Sequence, residues 1–278
     1  MAATRTRTPA APPGGLLSMF DPVFVAQDET RRPVYLDFAD SNGILIAGEP
    51  GAGKSVGLSN IVAHGALSWR DCRLVLIDGA MVELGAWRSC ADTFVGPDID
   101  KAIFVLEEQQ KVINDRCEEL LDTGRRKIVK GDGVPITLTV IDELAYYSAT
   151  VGTKAQREKF TVALRDNSAR GRKAAHRYVI ATQRPSYDIV PASLRDLFGL
   201  RLAFRCATDD SSDTILGKGW AKRGYTAASI DITSRGVGLL LAEGKRVPRR
   251  VKAAYLTDDD IHRIAAHAAL LRSGGDQP

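Results

Sequence analysis

Residues Gly48-Glu49-Pro50-Gly51-Ala52-Gly53-Lys54-Ser55 gather three kinds of chemistry in one short stretch. The glycines let a loop wrap closely, so that successive backbone N–H groups point at one anion. Lys54 adds a cation within reach of β- and γ-phosphates, and Ser55 adds a hydroxyl that can ligand Mg²⁺. This is the Walker A pattern, and the expected ATP-binding set is Gly48, Glu49, Pro50, Gly51, Ala52, Gly53, Lys54, Ser55 and Val56. The flanks agree with it. Ile44 to Ala47 reads as a short buried strand, and Val56 to Leu67 as a helix whose N-terminus favours negative charge.

A second constellation suits the metal and the water. Ile136-Thr137-Leu138-Thr139-Val140-Ile141 is an apolar, β-branched run that ends in Asp142-Glu143. Asp142 is expected to hold Mg²⁺ together with Ser55, the metal through its water shell. Glu143 is expected to polarise the attacking water. An isolated acidic pair would be ordinary surface. An acidic pair closing a buried strand downstream of a Walker A loop reads as Walker B.

The elements that must position these groups follow from periodicity. Val23 to Val25 and Val34 to Phe38 read as a hairpin, Arg73 to Asp78 as a buried strand, and Lys101 to Asp122 as an amphipathic helix. Glu158 to Ala169 reads as helix. Tyr178 to Thr182 and Leu200 to Phe204 read as strands, and Val237 to Leu241 with Val251 to Leu256 as an antiparallel pair. Asp258 to Leu271 is a final helix. Strands alternating with helices predict an α/β fold, with a mostly parallel sheet covered by helices on both faces. The extra strand between Walker A and Walker B points to a RecA-like P-loop NTPase, because kinase-like P-loop folds usually place the Walker B strand next in order.

The chain has 278 residues, 44% of them hydrophobic, which suits one large α/β domain. No apolar run approaches the roughly 20 residues that span a bilayer, so a cytoplasmic protein is expected, with a peripheral place at the inner face of the membrane left open. Residues 1–18 read as a disordered tail, 19–272 as the domain, and 273–278 as a flexible tail. Net charge is only +4, yet basic groups cluster at Arg125–Lys127, Arg170–Lys173 and Lys245–Lys252, as a polyanion partner would require. The four cysteines show no CxxC spacing, so reduced thiols are expected.

From the hairpin to the final helix, the chain resembles the FtsK/SpoIIIE family of DNA-translocating ATPases. Ala181-Thr182-Gln183-Arg184-Pro185-Ser186 is the most specific match. It is joined by Ile77-Asp78 with Glu83-Leu84, Val140 to Ala145, Ser168 to Arg172, Leu200 to Arg205 with Asp213 to Leu216, and Gly236 to Leu240. Three positions depart from the family pattern. Glu49-Pro50 stands in a loop that is usually rich in serine or threonine, Asp78-Gly79-Ala80 stands for Asp-Pro-Lys, and Asp213 replaces an arginine.

The resemblance implies ATP hydrolysis with Mg²⁺, double-stranded DNA as partner, and a homo-oligomeric ring, with a hexamer as the expected size. Gln183 would sense the γ-phosphate. A neighbouring subunit would supply an arginine, Arg201 first and Arg170 second. The short form is similar to motor proteins of actinomycete conjugative and integrative elements, which implies DNA transfer between cells and a membrane protein partner. Chromosome segregation, a protein-secretion motor of the type VII kind and a nucleotide-gated scaffold are the alternatives.

Overall fold

The computed structural model describes residues 17–274. In chain order the main elements are β1 (Val23–Asp28), β2 (Pro33–Leu36), β3 (Gly43–Ala47), α1 (Lys54–Leu67), β4 (Cys72–Asp78) and β5 (Thr93–Val95). Then come α2 (Ile99–Asp122), β6 (Ile136–Asp142), α3 (Lys154–Arg170), β7 (His176–Thr182), α4 (Ala192–Arg195) and β8 (Leu200–Phe204). The chain closes with α5 (Asp209–Leu216), β9 (Val237–Leu241), β10 (Arg249–Ala253) and α6 (Asp258–Gly274).

One ten-stranded sheet organises the described residues, in the order β2-β1-β10-β9-β8-β3-β7-β6-β4-β5. From β8 to β5 neighbouring strands run parallel, whereas β9, β10, β1 and β2 extend the sheet in antiparallel fashion. The Walker B strand β6 is separated from the Walker A strand β3 by β7. This is the fold expected from the sequence: a P-loop NTPase sheet with an additional strand.

Side chains alternate across the pleat, so each strand feeds two cores. Ile44 and Ile46 of β3 enter one core with Leu58, Ile61 and Val62 of α1 and Ala265 and Ala268 of α6. Leu45 and Ala47 enter the other, with Ile103 and Leu106 of α2, Phe160 and Leu164 of α3, and Ile215 of α5. The helices start on local signals. Asp98 caps α2 by accepting from the Lys101 amide, and Thr153 with Gln156 forms a capping box that starts α3 at Lys154, four residues before the expected Glu158.

The short strand β5 and helix α4 escape periodicity, because three or four residues carry too few repeats to read. β10 ends at Ala253, and Ala254 to Thr257 form a link instead of more strand. Of the expected N-terminal tail, residues 1–16 lie outside the described residues. Ser18 does not behave as a tail residue. It is buried, its hydroxyl donates to Asp71 Oδ2 at 2.5 Å, and the Met19 amide donates to Asp71 Oδ1 at 3.0 Å. The C-terminal helix runs through Ser273 to Gly274, and residues 275–278 lie outside the described residues.

Candidate functional site

The C-terminal ends of β3, β6 and β7 converge on the loop between β3 and α1. Gly51 and Gly53 have φ of 72° and 117°, which only glycine adopts without strain. Gly53 also has no room for a side chain, since a Cβ there would lie 2.5 Å from Gly236 Cα. The Gly236 amide donates to Ala52 O at 2.9 Å, so the start of β9 backs the loop from below. α1 begins directly at Lys54, and its first amides therefore face the loop's interior.

Lys54 and Asp142 form a buried ion pair, with side chains 4% and 1% exposed. The pair joins the first residue of α1 to the last residue of β6. Asp142 and the Ser55 hydroxyl offer the hard oxygen donors that Mg²⁺ prefers, so the residues present fit that ion.

Glu143 follows immediately with φ 59°, a left-handed conformation that is uncommon away from glycine. Its carboxylate is turned across to the end of β7. Oε1 accepts from Thr182 Oγ1 at 2.8 Å, and Oε2 accepts from the Gln183 amide at 2.9 Å. The Ala145 amide adds a longer contact of 3.3 Å. Gln183 lines a separate cleft of about 250 Å³ with Glu49, Arg184 and Pro185. Gln183 thus touches Glu143 through its backbone and lines that cleft beside Glu49.

Glu49 stands where serine or threonine was the family expectation, and its carboxylate pairs with Arg205 Nη1. Its amide also donates to Arg205 O at 2.9 Å. The side chain therefore ties the loop to the end of β8. Pro50 and Gly51 form the exposed crest of the loop.

Asp78 ends β4 and accepts from three amides: Ala80 at 3.0 Å, Met81 at 2.9 Å and Leu84 at 2.9 Å. Burial pushes its carboxyl above the ordinary range. The Leu84 amide opposes that shift, and the nearby Asp142 carboxylate adds to it. Asp213 is equally structural, accepting from the Gly219 and Ala221 amides at 2.6 and 2.8 Å.

Arg201 and Arg170 lie together, but at the other end of the sheet. Both line a cleft of about 580 Å³ with Asn42, Arg172, Lys173 and Glu243. Arg201 pairs in register with Leu45, the middle residue of β3, whereas the loop follows Ala47. Its Nε donates to Phe198 O at 2.8 Å and its Nη1 to Leu216 O at 3.1 Å, and burial lowers its pKa. Arg170 is held by Asp166, with Nε at 2.9 Å and Nη2 at 2.5 Å, and that carboxylate raises its pKa. Within one subunit neither arginine approaches Lys54 or Glu143.

The basic clusters are not alike. Arg125 pairs with Asp132, Lys127 with Asp40, and Lys130 with Asp21. Lys245, Arg246, Arg250 and Lys252 have no ion-pair partner among the described residues. Sequence reasoning did not single out Arg205 or Gly236 for the loop, or Thr182 as a partner of Glu143. Thr182 sat inside a quoted motif, but its partner lies on another strand.

Comparison with known proteins agrees with this architecture. The FtsK/SpoIIIE family model matches residues 19–243. The chain is 26% identical over 284 residues to the DNA translocase FtsK 2 of Ralstonia nicotianae, covering 91% of this chain and 34% of that protein. It therefore spans about a third of that relative's length. Among solved structures, the conjugation coupling protein TcpA of pCW3, bound to ATPγS, superposes with a TM-score of 0.74 at 21% identity, covering 90% of this chain and 70% of that one. The cytoplasmic domain of the type VII secretion ATPase EccC of Thermomonospora curvata superposes with a TM-score of 0.67 at 18% identity, covering 91% of this chain and 31% of that one. At such identities the two structures bear on the fold alone, whereas the family match spans most of the chain: this protein belongs to the FtsK/SpoIIIE family.

Proposed function

We propose that this chain is an ATP-driven motor that moves double-stranded DNA, and that residues 19–272 form its single motor domain. The observation that carries the reading is the convergence of a buried Lys54–Asp142 pair with a Glu143 carboxylate oriented by Thr182 and Gln183, in a member of a DNA-translocating family.

The chemistry follows from these contacts. On ATP binding the Lys54 ammonium exchanges Asp142 for phosphate oxygens. Asp142 and Ser55 are then free to hold Mg²⁺, which neutralises phosphate charge when bound. Glu143 accepts the proton of the attacking water, and its two β7 partners keep it from swinging away. The Gln183 amide can donate to phosphate and accept from water, so it reports the γ-phosphate to the end of β7. Arg201, or failing that Arg170, completes the site of the next subunit in a ring. The placement of both arginines remote from their own loop favours such an assignment.

DNA is gripped mainly through phosphates, which suits a motor that must run over any sequence. The biological role proposed is transfer of plasmid or element DNA between cells, at the inner face of the membrane and with a membrane protein partner. Among the described residues no helix is long and apolar enough to cross a membrane. A protein-secretion motor is the second reading, favoured by the fold shared with EccC. ATP turnover with and without duplex DNA separates the two. Stimulation that fades with salt supports the DNA motor, and a rate indifferent to DNA rejects it.

A further inference from the structure

We infer that the cleft between the end of β2 and the start of β8 is a pocket for the guanidinium of an arginine side chain, presented by a second polypeptide. It shares no residue with the phosphate loop. The cleft measures about 280 Å³, just under the roughly 300–1,000 Å³ of small-molecule sites, and so takes one long side chain. Tyr35 of β2, Asp37, Asp40 and Ser41 of the β2–β3 link, Leu200 of β8 and Glu243 after β9 line it.

Charge and shape select the ligand. The lining carries three carboxylates and no cation, so it repels phosphate and favours a positive group. Asp40 already pairs with Lys127, whereas Asp37 and Glu243 have no ion-pair partner among the described residues. No group of three or more His, Cys, Asp or Glu among those residues could hold a metal ion. The carboxylates are therefore spread for a larger cation. A guanidinium offers five N–H donors in one plane, enough for Asp37, Glu243 and a hydroxyl at once, and its face stacks on an aromatic ring. Tyr35 supplies such a ring, half-buried and backed by Phe24 with centroids 5.7 Å apart. Ser41 supplies the hydroxyl. It is 4% exposed, and its Oγ is buried without a hydrogen-bond partner. Such orphans are uncommon in folded proteins, and an N–H donor in the cleft would satisfy this one.

The surrounding chain holds these groups in place. The fully buried Arg177 donates to Phe38 O and, at 2.6 Å, to Ala39 O, which fixes the segment between Asp37 and Asp40. Asp37 Oδ1 accepts from the Ala39 and Asp40 amides at 2.9 and 3.3 Å, which leaves Oδ2 for a ligand. Asn42 Nδ2 ties down the end of the link by donating to Leu197 O at 2.7 Å. Glu243 lies against Gly199, where a Cβ would come within 2.8 Å of its Oε2. Glycine at that position leaves the carboxylate its seat.

NMR titration of the full chain with acetyl-Gly-Arg-Gly-amide and with its lysine counterpart tests the pocket. The arginine peptide is expected to bind on the order of 10-fold more tightly, with shifts centred on Tyr35 and Ser41. Glu243→Gln should weaken it by on the order of 10-fold, and Ser41→Ala should weaken it as well. Glu243 is exposed, so its variant is compatible with folding. Equal binding of the two peptides, binding of neither, shifts centred elsewhere, or unchanged affinity in Glu243→Gln would overturn the pocket. Sedimentation of the protein with the arginine peptide then identifies the source. Assemblies that the peptide disperses place the arginine on a second copy of this chain. An unchanged oligomeric state places it on another protein, and the pocket stands in both cases.

Discussion

Thr182 Oγ1 donates to Glu143 Oε1 at 2.8 Å, joining the end of β7 to the residue that follows β6. With the Gln183 amide on the other oxygen, the carboxylate is presented in one orientation as an acceptor. Glu143→Gln is therefore expected to keep ATP affinity and lose turnover by about 10²-fold or more, since an amide cannot take the water's proton. Thr182→Val should lower kcat while leaving ATP affinity unchanged, and Thr182→Ser should restore it. Near-normal kcat in Glu143→Gln would remove the base assignment.

The buried Lys54–Asp142 pair predicts a coupling between stability and binding. Lys54→Ala should abolish nucleotide binding. It should also lower stability by about 3–5 kcal/mol, because a buried carboxylate is left without its partner. Adding Asp142→Asn should recover part of that loss. Chemical denaturation of the two single variants and the double variant measures the coupling, and additive losses would contradict it.

The uneven pairing of the basic clusters predicts where DNA acts. Lys245→Glu with Arg246→Glu should reduce duplex-stimulated ATP turnover and flatten its salt dependence, because fewer counterions are released. Lys127→Glu should matter less for DNA, its ammonium being already engaged by Asp40. Filter binding across a salt series checks both, and the reverse ranking would relocate the interface.

Arg201→Ala should bind ATP yet hydrolyse it on the order of 10³-fold more slowly. Mixing it with Glu143→Gln should restore part of the activity, since some interfaces then pair an intact Glu143 with an intact Arg201. Arg170→Ala is the matched comparison. Rescue with Arg170→Ala alone would move the role. Absence of rescue with both, in mixtures shown to co-assemble, would reject a shared site built on this pair.

His176 is buried at the start of β7, where burial pulls its pKa down to about 3 and the contact with Ala174 O opposes that shift. Its folded value lies below the unfolded one, so its contribution is full above about pH 6.5. It is lost progressively as pH falls toward about 3. The expected slope is about 1.4 kcal/mol per pH unit in that window. Denaturation at pH 7 and pH 5 measures it. An imidazole resonance of His176 that titrates near pH 6.5 in the folded protein would refute the burial argument.

The sequence by itself determined the phosphate loop, the acidic pair and the succession of strands and helices. Each of these is written in contiguous residues: glycine positions, a β-branched run, an alternation of period 2 or 3.6. It also placed Gln183 just past the end of one strand and Arg201 within another. Tertiary structure decided what those residues touch. Thr182 and Glu143 are 39 residues apart, and Glu49 and Arg205 are 156 apart. No local pattern encodes that β7 lies between β3 and β6, or that β8 flanks β3 on the other side. Strand order brings Gly236 against Gly53, turns Glu143 toward β7, and leaves the Arg201 guanidinium bonded to Phe198 O and Leu216 O instead of reaching its own loop. The same holds for charge. A run of lysines and arginines reads alike wherever it occurs, and only the folded chain shows that Asp132, Asp40 and Asp21 neutralise one cluster and leave another open. Periodicity reports which face of an element is buried; which neighbour buries it depends on packing between segments that are distant in the chain.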